Sequence, residues 1–142
     1  MNHMYSDSLK VVSSESELFV LAVVAQKTGR LDDAIRYYRS ILSSNQEHVD
    51  ANFNLGIVLS SKHYFEDALP LFRNAYTKHP ENEVFQKALF GALLKCGKIE
   101  EINAEIEIAK SKHIQLFDFK YDQNWFERTT LIVNKIKEKR SN

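Results

Sequence analysis

Five histidines, a single cysteine and 19 acidic side chains are the groups through which this 142-residue chain could do chemistry. His3, His48, His63, His79 and His113 show no metal-ligand spacing. His79 and His113 stand 34 residues apart, which makes them residues of one recurring loop rather than two ligands of one site. Cys96 lies immediately before Gly97 with no histidine near it in sequence, so a half-buried structural thiol is expected rather than a nucleophile. The acidic groups Glu100-Glu101 and Glu105-x-Glu107 read as solvated helix faces. There is no G-x-S-x-G and no glycine-rich loop to cradle a phosphate. No catalytic, cofactor-binding or metal-binding residue is therefore assigned, and the expectation is a protein that binds without chemistry and needs no cofactor.

The elements that must carry such a binding function follow from composition. Lys and Arg number 19 against 19 Asp and Glu, so the net charge is zero and nothing implies an electrostatic grip on nucleic acid. A hydrophobic fraction of 44% with 4 Gly and 2 Pro excludes a wholly disordered chain, a collagen and a turn-rich all-β fold. The longest apolar run, Leu18 to Ala25, is far short of the roughly 20 residues that span a bilayer. Acidic Glu15 and Glu17 precede it where a secretory signal carries positive charge. A soluble, cytoplasmic protein with no membrane contact is expected, held together by packing, since one cysteine closes no internal disulfide.

Apolar and small residues recur every 34 positions: Leu21, Leu55 and Leu89; Ala25, Leu59 and Leu93; Leu31, Phe65 and Ile99; Ala34, Ala68 and Ile102; Tyr38, Phe72 and Ile106. Within each unit a first stretch, such as Leu18, Leu21, Ala22 and Ala25, has helical spacing. A second stretch, such as Leu31, Ala34, Ile35, Tyr38, Ile41 and Leu42, has it too. Ser14-x-x-Glu17 forms a capping box, and Gly29, His63-Tyr64 and Gly97 mark the turns between paired helices. Pro70 falls inside a predicted helix, where it removes the amide bond to Glu66 and is expected to bend it. The small residues Gly56, Ala68 and Ala75 are expected to set close helix approach.

The segment Asn52 to Pro80, with Leu55-Gly56, Ala68, Phe72 and Pro80, resembles the tetratricopeptide repeat pattern W-x2-L-G-x2-Y, A-x3-F, P. Asn52 and Leu59 replace its Trp and Tyr. The resemblance implies an all-α, right-handed superhelical solenoid of about seven helices in antiparallel pairs. Its divisions would be a flexible leader at 1–14, repeats at 15–48, 49–82 and 83–116, and a linker with a C-terminal capping helix and charged tail at 117–142. Asp122 would cap that last helix, whose stripe is Trp125, Phe126, Thr129, Ile132, Val133 and Ile136. The third repeat diverges. Phe90 stands at the small position and Gly91 follows it, which predicts a rotated first helix, while Asn103 and Lys110 weaken the outer face.

Such a solenoid has a concave groove lined by first-helix residues. The candidate partner-binding set is Phe19, Val23, Lys27, Phe53, Asn54, Ile57, Lys87 and Lys95, with Val84 and Gln26 on the same side. Its centre is apolar and its rim lysine-bearing, which suits a protein or peptide partner that is apolar with acidic residues; self-association over the same face is the competing use. Repeats of this family that clamp the acidic C-termini of heat-shock chaperones carry Lys and Asn, then Asn, then Lys and Arg. The matching positions here are Phe19, Val23, Asn54, Val84 and Ala88, so only Asn54 agrees and that clamp is absent. The resemblance leaves a scaffold or adaptor as the leading reading. A repeat-type chaperone holding an export substrate, and a substrate-recruiting arm of a glycosyltransferase-like enzyme, are the alternatives.

Overall fold

A computed structural model describes residues 14–118, 131, 134–135 and 138–140. Within residues 14–118 six helices follow one another: α1 Glu15–Lys27, α2 Leu31–Ser44, α3 Val49–Ser61, α4 Phe65–Lys78, α5 Glu83–Lys95 and α6 Ile99–Ser111. First helices begin at 15, 49 and 83 and second helices at 31, 65 and 99, so both series keep the 34-residue step. The leader, and the capping stripe from Asp122 to Ile136 with its Trp125, lie outside the described residues.

Local chemistry explains each boundary. Three different side chains cap the first helices: Ser14 Oγ accepts from the Glu17 amide (3.2 Å), His48 Nδ1 from that of Ala51 (3.0 Å), and Asn82 Oδ1 from that of Phe85 (3.1 Å). Acids stand in each first turn, where the helix dipole favours them. The first helices end in left-handed residues, Gly29 (φ 79°), His63 (φ 64°) and Gly97 (φ 71°). In each case the next amide returns to the last full turn, Arg30 to Ala25, Tyr64 to Leu59 and Lys98 to Leu93. α4 runs unbroken through Pro70, which is exposed, so water can reach the carbonyl of Glu66 that the proline leaves without a donor.

α2 and α4 each pack on their own first helix and on the next one, α6 packs on α5, and the interior is one continuous cluster. Ala22, Ala34, Tyr38, Ile41, Ala51, Ala68, Ala75 and Leu89 are fully buried. Close approach at Gly56 is set by an aromatic ring rather than by Ala68: a Cβ there would lie 2.5 Å from Cε1 of Phe72. In repeats two and three the position of the repeat's Trp holds an amide. Buried Asn52 donates to the carbonyls of Gln46 (3.0 Å) and His48 (2.9 Å), and 34 residues later buried Gln86 donates to Pro80 (2.8 Å).

Repeat three diverges by a different route from the rotation expected of its first helix. Phe85, Leu89 and Leu93 are buried like Ala51, Leu55 and Leu59, so α5 keeps its register. A Cβ on Gly91 would meet nothing, so this glycine does not take over the small position. Phe90 is instead fully buried, with its ring 6.3 Å from Tyr76 and 5.9 Å from Phe117. α6 packs on α5 much less extensively than α4 on α3. α6 also ends as a first helix does, on left-handed His113 (φ 57°), whereas α2 and α4 end on extended Asn45 and His79. The two histidines that share a place in the sequence pattern thus adopt different backbone conformations. After His113 the chain returns over α5: Gln86 donates to the Gln115 carbonyl (3.0 Å) and accepts from the Phe117 amide (2.8 Å).

Candidate concave binding surface

First helices α3 and α5 touch directly. Of the eight groove candidates, Phe19, Val23 and Lys27 stand on α1, Phe53, Asn54 and Ile57 on α3, and Lys87 and Lys95 on α5. Their exposures differ in an instructive way. Phe19 is partly buried, edge-on to Tyr38 (6.1 Å) and stacked on His48 (5.5 Å). Phe53 lies against Phe72 (5.9 Å) and Phe85 (4.9 Å). Both rings are therefore partly taken up by packing within the array, Phe53 at the joint between repeats two and three. The apolar side chains that stand out are Ile57 at 38% exposure, Val84 at 58% and Val20 at 59%. Val20 was not among the candidates, although it shares a repeat position with Asn54; the apolar run Leu18 to Ala25 hid its face, because every side of α1 there is apolar.

Polar groups also stand on this surface. The Tyr38 hydroxyl donates to Gln26 Oε1 at 2.6 Å. Burial pushes the Tyr38 phenol up, and a hydrogen bond with Asn54 partly opposes the shift. The sequence pattern lacked the signal for this, since Tyr38 and Asn54 belong to different repeats.

The lysines frame the surface. Lys27 and Lys95 are exposed. Lys95 sits over the Phe65 ring (5.8 Å). Lys87 meets Glu83 (3.2 Å) and lies over the Phe117 ring (5.6 Å). At the same rim His63, Tyr64, Phe65, Glu66, Asp67, Lys95 and Cys96 line an open cleft of about 480 Å3. Burial, followed by the charge of Glu66, pushes the Cys96 thiol up, so it stays protonated at neutral pH. Among the described residues no group of three His, Cys, Asp or Glu stands together to hold a metal ion. No helix among the described residues is long and apolar enough to cross a membrane.

No protein-family model matches the chain. Human tetratricopeptide repeat protein 21A is 26% identical over 107 residues, which covers 75% of this chain and 8% of that protein. Two solved structures share the architecture. MamA AMB-1 has a TM-score of 0.62 at 20% identity over 75% of this chain and 58% of its own. MamA MSR-1 has a TM-score of 0.62 at 19% identity over 92% of this chain and 80% of its own. The chain has the tetratricopeptide-repeat fold. Ile57, Val84, Asn54 and Gln26 all stand on first helices of the repeats. The chain spans a small part of the human relative and little more than half of MamA AMB-1, so the likeness concerns the repeat array.

Proposed function

We propose that the chain is a protein-interaction module that takes a peptide or partner segment along its concave surface. One observation carries the reading: Val20, Ile57 and Val84 are exposed apolar side chains on successive first helices of a tetratricopeptide-repeat array. Lys27 and Lys95 at the rim favour acidic groups on the partner, while the Gln26–Tyr38–Asn54 bridge offers amide groups to an extended backbone. Binding then needs no reacting group. The eight groove candidates remain the proposed site, with Ile57 as its accessible anchor and Phe19 and Phe53 as rings partly taken up by packing within the array.

Ile57→Asp is the sharper probe, since Phe53→Ala would also open the joint to Phe72 and Phe85. Affinity capture with the wild-type chain, Ile57→Asp and the outer-face variant Ile108→Asp, read by quantitative mass spectrometry, tests the reading. Partners of the groove should fall at least about tenfold on Ile57→Asp and persist on Ile108→Asp. Equal recovery on Ile57→Asp would move binding to another face.

A further inference from the structure

α1 carries a second apolar face that adjoins the groove and shares Val20 and Lys27 with it, while its Leu21 and Val24 are side chains the groove reading does not use. Leu21 and Val24 are 40% and 46% exposed, beside Val20 at 59%. Their counterparts one repeat on, Leu55 and Val58, are 3% and 1% exposed, and those two repeats on, Leu89 and Ala92, are 0% and 4%. In repeats two and three this face is covered by the second helix of the preceding repeat, α2 on α3 and α4 on α5. The same residue types on α1 therefore form a surface suited to packing against a helix, continuous in kind with the joints inside the array.

The charges on α1 indicate which helix fits. Glu17 and Lys27 are exposed at opposite ends of the helix, flanking Val20, Leu21 and Val24. A second α1 laid antiparallel, with a two-fold axis beside Ala22, sets Val20 opposite Val24, Glu17 opposite Lys27, and the reverse pairs by symmetry. Self-complementarity of this kind is the requirement of an isologous interface. Antiparallel alignment also places each acidic helix start beside the other's basic end, which the helix dipoles favour. We infer that α1 is a dimerisation face, and that a second copy of this chain docks on Val20, Leu21 and Val24 with Glu17–Lys27 pairs on either side. Few side chains take part, so the dimer belongs to the weak, transient class.

Sedimentation equilibrium of the full 142-residue chain tests the assignment. A monomer–dimer equilibrium is expected, with a dissociation constant in the micromolar to millimolar range, roughly 10⁻⁵ to 10⁻³ M. Leu21→Glu should abolish the dimer. Glu17→Lys and Lys27→Glu should each weaken it about fivefold or more, and the double exchange should restore it to within about twofold. Circular dichroism matching the wild type shows that each variant is folded, and Ile57→Asp should leave the dimer unchanged, which separates this face from the groove. A chain that stays monomeric up to about 1 mM overturns the inference. That is the outcome if residues 1–13, or a repeat preceding this one in a longer protein, cover the face. A dimer that survives Leu21→Glu, or a double exchange that fails to recover, overturns it as well.

Discussion

Ser60 and Gln26 hold the same place one repeat apart, yet only Gln26 has a partner for its polar atom. Tyr38 supplies the hydroxyl in repeat one, and its counterpart Phe72 has none, so Ser60 Oγ is buried without a hydrogen bond. An unpartnered buried hydroxyl costs about 1 to 3 kcal/mol, so Ser60→Ala should leave stability unchanged or raise it by about 1 kcal/mol in urea unfolding. A loss above about 1 kcal/mol would mean that Ser60 has a partner after all. Cys96 gives a chemical test. Its thiol pKa is raised by burial and by Glu66, so alkylation at pH 8 should be slower in the folded chain than after unfolding in guanidinium. The linkage has a definite sign. A raised folded-state value means that the stability contributed by the protonated thiol is complete below the ordinary thiol range and is lost as pH climbs through the higher folded value.

The helix pairs show which features can be read from a sequence and which cannot. Leu55, Leu59, Leu89 and Leu93 repeat at 34-residue steps and are all buried, because periodic burial leaves a periodic apolar pattern. Gly56 permits the close approach of the two helices expected of a small residue, but the group it admits is the Phe72 ring, a choice of partner that depends on side-chain direction and leaves no mark in spacing. Gly56→Ala should therefore destabilise by about 1 to 3 kcal/mol despite the better helix propensity of alanine, in thermal or urea unfolding. Ala68→Leu, at a fully buried position, should cost a similar amount. The caps at His48 and Asn82 were also unread, since histidine is a rare cap and its role rests on Nδ1 meeting the Ala51 amide. The return of residues 114–118 over α5 was invisible because it depends on one buried amide, Gln86, that binds a carbonyl and an amide of a distant segment.

At the scale of the molecule, the fold class is legible because the pattern of a repeat array is written several times over. Which groove residues stand free is not, since Phe19 and Phe53 are drawn into joints formed by partners on other helices. Repeats one and two are also tied by an ion pair across 30 residues, Lys62 to Asp32 at 2.7 Å. The Lys62 ammonium holds the Asp32 carboxyl below its ordinary value, so this link contributes above the usual carboxylate range and is lost as pH falls through the lower folded value. It is exposed and should be weak, and Asp32→Asn should shift the thermal midpoint at neutral pH only slightly.

The sparse contact between α6 and α5 has a mechanical meaning. A stack of nearest-neighbour contacts yields first at its weakest seam, and that seam is where α6 rests on α5 with less than the usual contact. The array is therefore graded in stiffness along its axis, firm from α2 to α4 and compliant at α6. Hydrogen exchange should be fastest within α6, residues 99–111, and slowest in α3 and α4, around Leu59 and Phe72. A partner whose grip extends onto repeat three would engage a hinge, and its binding would read out as a stiffening of that end.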